Sequence, residues 1–151
     1  MTLNLIDYRP PRIAQFLALI AALLHWSTPL RGVQLYANLP LGIAAGLGGF
    51  LIMLWAWWLF RRAETAICPT ASSTALVTDG VYRFTRNPMY LGLVGMLLGL
   101  AIGVGTLPFY LAAGAFFAVI GQVFIPFEER KMKDTFGGEW LRYRTGTRRW
   151  L

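Results

Sequence analysis

Between Gly80 and Gly92 the chain reads Gly-Val-Tyr-Arg-Phe-Thr-Arg-Asn-Pro-Met-Tyr-Leu-Gly, setting Tyr82, Arg83, Arg86, Asn87 and Tyr90 at the mouth of an apolar segment. Polar groups where a chain enters lipid cost free energy unless something satisfies them, so such a cluster points to function. Pro88 suits the first turn of a helix, where its missing N–H is not needed. Asn87 before it is a good N-cap, its side-chain oxygen accepting a backbone N–H. A helix starting there turns its amide donors and positive dipole end toward the polar layer, a place for an anion or a polar ligand. A second cluster, Glu128-Glu129-Arg130, follows Pro126-Phe127 at the end of another apolar run. Adjacent carboxylates at such a boundary repel one another and are partly desolvated unless cations or hydrogen-bond donors balance them.

The elements that must position these clusters are membrane spans. Of the 151 residues, 56% are apolar and only 14% charged, against about 25% charged in a soluble domain. Four long uncharged blocks stand out: Ala14 to Leu30, Leu39 to Phe60, Met89 to Leu107 and Pro108 to Phe127. Each is close to the roughly 17–25 residues of a spanning helix. The composition predicts an all-α, polytopic integral membrane protein of about four transmembrane helices with a cytoplasmic C-terminal helix. It forms one domain over 1–151, with 1–60 an N-terminal transmembrane hairpin. Four spans place thirteen of the fourteen lysines and arginines on one side and Arg31 alone on the other. The excess of positive charge puts both termini in the cytoplasm, at the inner or cytoplasmic membrane.

Pro10-Pro11 stops any earlier helix, and no small-residue cleavage site follows the first block, which argues against a signal peptide. The net charge of +7 reflects loops lying on anionic headgroups rather than nucleic-acid binding. The single cysteine, Cys68, excludes an internal disulfide and a Cys-rich metal site, and no metal is expected. His25 reads as an interface residue. Gly42, Gly46 and Gly49 have the spacing of a helix-packing face. Gly92, Gly95, Gly99 and Gly103 form a second stripe, for which packing and an open cofactor groove weigh equally. From Glu128 to Phe136 a helix is expected, with Gly137 or Gly138 ending it.

Taken together, Gly80, Tyr82, Arg86, Asn87, Pro88, Tyr90 and Gly92, then a helical hairpin, Glu128-Glu129, Phe136-Gly137, Trp140, Tyr143 and Arg149-Trp150 resemble a family of membrane methyltransferases. It includes the isoprenylcysteine carboxyl methyltransferases and the phospholipid N-methyltransferases. The resemblance covers roughly 76–151, the catalytic half. Asn87 stands where the isoprenylcysteine enzymes carry histidine, and Trp140 where the later motif has its first tyrosine.

The resemblance implies S-adenosylmethionine as methyl donor and a lipophilic acceptor entering from the bilayer: an isoprenylcysteine carboxylate, a phospholipid amine or a small thiol. It implies donor contacts from Tyr82, Arg86, Asn87, Pro88, Tyr90, Glu128, Glu129 and Tyr143. Glu128 and Glu129 would accept from ribose hydroxyls or the ammonium, and Arg86 would hold the carboxylate. Arg149, with Glu129, would serve catalysis by orienting the acceptor. Two alternatives stay open. Sterol-type reductases share a related Arg-His-Pro-Asn-Tyr-x-Gly-Glu motif, from which Asn87, Met89 and Leu93 depart, and a non-catalytic helical bundle is the other.

Overall fold

The computed structural model describes residues 9–27, 29–64 and 74–151. Cys68 and most of the Ser/Thr-rich loop around it lie outside the described residues. Five α-helices carry the fold: α1 (Pro10–Ser27), α2 (Leu39–Arg62), α3 (Pro88–Val104), α4 (Leu107–Val119) and α5 (Ile125–Gly146), the last two joined by a π-helical turn, Ile120–Phe124. Among the described residues, two helices are long and apolar enough to cross a membrane: α2, and the continuous run Leu107–Gly146. The apolar α3 is shorter, at 17 residues. Pro10 and Pro11 do not precede the first helix but form its first turn, where no intrahelical N–H is required.

Helices α2 and α3 pack backbone to backbone. A Cβ on Gly49 would lie 2.5 Å from the Gly92 carbonyl oxygen, and one on Gly99 2.5 Å from the Gly46 nitrogen. A Cβ on Gly42 would come within 2.6 Å of Gly103. The two stripes therefore meet each other, which settles the α3 stripe as a packing face and not an open groove. Asn38 starts α2 by accepting from Leu41 N–H at 2.9 Å.

Gly105, at φ +77°, and Thr106 alone separate α3 from α4, giving the tight hairpin the sequence predicts. His25 Nδ1 lies 3.0 Å from the buried Thr106 hydroxyl, which ties α1 to this turn. From the last turn of α4 onward, the fully buried Phe116, Ile120, Phe124 and Ile125 pack with Tyr90, Leu93 and Leu97 of α3. The wider π-helical turn inserts a residue in this stretch, rotating everything downstream by about 100° relative to a continuous α-helix. Glu128 and Glu129 are aimed by that rotation. Gly137 then breaks α5 at φ +48°, ψ −116°, ending the helix where the sequence predicts a cap, and the segment beyond it carries Trp140 to Arg86 and Tyr143 to Tyr82.

Candidate active site

The two polar clusters meet. Glu129, one turn past the buried Ile125, accepts from Arg86 Nη2 at 3.0 Å and from Arg149 Nη2 and Nε at 2.7 and 3.2 Å. Its neighbour Glu128 projects about 100° away around the helix and accepts from the Tyr90 hydroxyl at 2.5 Å. The repulsion between adjacent acids is thus relieved by sending them to different partners.

Both lie just past Phe127, where the apolar run ends. Burial works to raise the Glu129 carboxyl, but the hydrogen bonds and charges of Arg149 and Arg86 outweigh it and hold the group below the usual carboxylate range. For Glu128 burial prevails over the Tyr90 hydrogen bond and the Lys131 charge, and its carboxyl is pushed up to about 7. The half-buried Glu128 is therefore poised to exchange a proton near neutrality, whereas Glu129 is fixed as an anion.

Arg86 is largely committed. Its side chain is 9% exposed, and Nη1 donates to the carbonyls of Arg144 and Thr147, both at 2.7 Å. The expected clamp on a ligand carboxylate is in this structure a clamp on the C-terminal end of α5. Asn87 also departs from expectation. It occupies the N-cap position of α3, but its side chain makes no capping bond. Its backbone, at ψ 51°, is not extended as a capping residue's is, and its Nδ2 donates to the Arg149 carbonyl at 2.9 Å.

The tail is stitched down at two further points. Thr85, 1% exposed, donates its hydroxyl to the Arg149 carbonyl at 3.1 Å, and Arg86 N–H reaches the Arg148 carbonyl at 2.9 Å. Thr85 escaped the sequence reading because an isolated threonine between Phe84 and Arg86 carries no distinguishing signal. Trp150 completes the seal, 4.8 Å from Phe117 ring to ring.

In front of this corner opens a cavity of about 1020 Å³, at the upper end of the roughly 300–1,000 Å³ of small-molecule sites. Its polar end is lined by Tyr82, Arg86, Glu128, Glu129, Trp140 and Tyr143. Asn87, Pro88 and Tyr90 line it as well, so every sequence-predicted site residue reaches the cavity except Arg149, which stands behind Glu129. The other end is apolar, walled by Ala14 and Ala18 of α1 and Met53 and Leu54 of α2, over a floor of Leu93, Met96, Leu97 and Leu100 of α3. Such side chains encode shape only once packed, and the sequence singled none of them out.

Tyr143 and Trp140 hold the polar end in form. Tyr143 donates its hydroxyl to the Tyr82 carbonyl at 2.7 Å, and burial raises both phenols above their ordinary value. The Arg86 guanidinium lies 6.0 Å from the centre of the Trp140 ring, within cation–π range. Two buried polar side-chain atoms among the described residues lack a hydrogen-bond partner, Arg86 Nε and the Trp140 indole nitrogen, and both residues line the cavity.

A family model for phospholipid methyltransferase matches residues 37–139. The match takes in α2, which the motif resemblance did not reach, and stops short of Trp140, Tyr143 and Arg149. Comparison with curated proteins and with solved structures gives no match. With two thirds of its length matched, from the head of α2 through the Arg86–Glu129 corner, the chain belongs to the phospholipid methyltransferase family.

Proposed function

We propose that this protein is an integral membrane methyltransferase that moves a methyl group from S-adenosylmethionine to the amine head of a phospholipid-type acceptor. The observation that carries the reading is one continuous cavity with two chemistries: polar and aromatic beneath the Arg86–Glu129 corner, apolar between α1 and α2. A water-soluble donor suits the first end and a hydrocarbon chain the second. In this reading the whole chain is a single domain, and α1, α2, α3 and the run from Leu107 to Phe127 cross the membrane, with Glu128 onward at its surface. The site and both termini then face the cytoplasm. The exposed Trp55, Trp57 and Trp58 at the end of α2, with Arg61 and Arg62 each 5.5 Å from a tryptophan ring, suit that interface.

The residues fit the donor. Aromatic faces of Tyr82, Trp140 and Tyr143 suit a purine or a sulfonium, and the unpartnered Arg86 Nε and Trp140 nitrogen are donors awaiting acceptors. When bound, S-adenosylmethionine supplies an electrophilic methyl group on a cationic sulfur. What the chain supplies is position and charge. Glu129, with both oxygens taken by Arg86 and Arg149, holds the corner rigid and orients Arg86, so Glu129 and Arg149 act as positioning residues. Asn87 and Pro88 set the start of α3 and thereby the Tyr90 hydroxyl.

Glu128 faces the acceptor. An amine attacks carbon only through its lone pair, so an ammonium head must first lose a proton. Glu128, titrating near 7, accepts that proton while Tyr90 holds the carboxylate in place. Glu129 engages both nearby arginines, and Glu128 is the acid not tied to an arginine, so it gives the acceptor end its preference for an ammonium over a carboxylate head.

Purified protein in lipid nanodiscs, given donor labelled in the methyl group and a mixture of amine, carboxylate and thiol lipids, tests the reading. Label is expected in the amine lipid, with donor binding measurable by calorimetry. Binding of reduced nicotinamide cofactor and not of S-adenosylmethionine would overturn it.

A further inference from the structure

Five tyrosines fall among the described residues, and the hydroxyls of all but one are engaged. Tyr90 donates to Glu128, Tyr110 to the Tyr36 carbonyl at 2.6 Å and Tyr143 to the Tyr82 carbonyl at 2.7 Å, while Tyr36 accepts from Asn38 Nδ2 at 3.3 Å. The hydroxyl of Tyr82 makes no hydrogen bond among the described residues, although the residue is 5% exposed. A phenol so deep is ordinarily bonded, and one that is not calls for a partner the chain does not supply. Packing accounts for the ring, which shares a buried cluster with Ala56, Leu59 and Val81 and lies 5.4 Å from the Phe60 ring. It does not account for the oxygen at the tip of a side chain that lines the cavity.

Tyr82 and Tyr143 serve different ends of that cavity. Burial, Tyr143 and the charge of Glu128 raise the Tyr82 phenol; burial raises Tyr143 as well, but there the opposing charge is that of Arg86. Tyr82 thus stands on the Glu128 side, where the acceptor is placed. It keeps its proton at neutral pH, and its oxygen has lone pairs to offer a donor.

Once Glu128 has taken a proton from an ammonium head, a primary amine holds one lone pair and two N–H groups. The lone pair forms the bond to the methyl carbon as the carbon–sulfur bond breaks, its electron pair staying on sulfur and the removed proton on Glu128. The N–H groups are bystanders with hydrogen-bonding capacity, and each methyl group added removes one. A primary, a monomethylated and a dimethylated amine therefore bring two, one and no N–H groups to the site.

Resting on the methyltransferase reading, we infer that the Tyr82 hydroxyl accepts from an N–H of the attacking amine and so makes the site sensitive to the number of methyl groups already present. Primary and monomethylated heads can make that bond. A dimethylated head cannot, and addition of the third methyl group is the disfavoured step.

The test uses the full chain in nanodiscs at saturating donor, with phosphatidylethanolamine, its N-methyl or its N,N-dimethyl derivative as the acceptor. In the wild type, kcat/KM is expected to be about three- to tenfold lower for the dimethylated lipid than for the other two, the worth of one neutral hydrogen bond. Tyr82→Phe is expected to close that gap by lowering kcat/KM for the primary and monomethylated lipids about three- to tenfold relative to the dimethylated one. An equal loss on all three acceptors, the gap persisting, would give Tyr82 a structural or donor-side role and overturn the inference while leaving the methyltransferase reading standing. If Tyr82→Phe no longer binds donor in calorimetry, the wild type decides: build-up of dimethylated lipid from the primary amine supports the inference, and three equal kcat/KM values overturn it. A wild-type protein that methylates none of the three lipids would bring down both.

Discussion

Arg149 Nη2 lies 2.7 Å from Glu129 Oε2, so a residue of the basic tail is tied to the acid that orients Arg86. The tail is a structural member of the site and not a loose basic extension. Removing the pair is expected to be asymmetric. Arg149→Ala removes the more exposed member, 39% exposed, and leaves Glu129 its bond to Arg86, so it should lower stability by about 1 kcal/mol or less. Glu129→Ala leaves Arg86, 9% exposed, without its counter-charge. It should cost more, about 1–3 kcal/mol after allowing for partial exposure, and weaken donor binding at least tenfold. Thermal unfolding in detergent and calorimetry measure the two effects, and equal losses for both variants would contradict the asymmetry.

The α2–α3 contact gives a sharper pair. Gly49→Ala places a methyl group 2.5 Å from the Gly92 carbonyl, where only a movement of the helices relieves it. The expected cost is about 1–3 kcal/mol, as for overpacking. Gly46→Ala, one turn away, meets nothing within 4 Å and is expected to be neutral or slightly stabilising through a stiffer unfolded chain. Melting temperatures of the two variants side by side check this.

Much of this arrangement was legible in the residues. The blocks beginning at Leu39 and Met89 predicted α2 and α3 closely because long uncharged runs leave the backbone no alternative to a helix. The meeting of Arg86 with Glu129 follows from the same physics, since charges at a lipid boundary seek opposite charges. The π-helical turn was not legible, because Ile120–Phe124 has no composition distinct from an α-helix in lipid. The division of labour between Glu128 and Glu129 depended on that turn, and was hidden with it. Asn87 was misread for a related reason: a good capping side chain was outbid by the Arg149 carbonyl, which arrives from 62 residues away.

Gly137 tests how far the site depends on the fold-back. At φ +48°, ψ −116° any side chain is strained, by about 1–3 kcal/mol. Gly137→Ala should therefore straighten α5 or destabilise it, pulling Tyr143 from the Tyr82 carbonyl and the Trp140 ring from Arg86. Donor affinity is expected to fall at least tenfold while α2 and α3 keep their packing. Hydrogen exchange would show the loss of protection confined to the segment after Phe136, and uniform loss would tell against a local role.

The two acids should leave opposite marks on pH dependence. Burial raises the Glu128 carboxyl from its ordinary 4.5 to about 7. The native state then binds more protons than the unfolded chain between those values, and this group's contribution to stability declines as pH rises from about 4.5 through 7. Glu129 is held below its ordinary value by Arg149 and Arg86 against the pull of burial, so its contribution is present above about 4.5 and lost as pH falls. Turnover depends on Glu128 as a base, hence on its deprotonated form. The rate with saturating amine lipid is expected to climb through pH 7 and level off above it. Glu128→Gln should flatten that rise and lower the rate about a hundredfold or more. Should the rise survive in Glu128→Gln, it reports another ionisation, and loss of a proton from the lipid's own ammonium would be the first to examine.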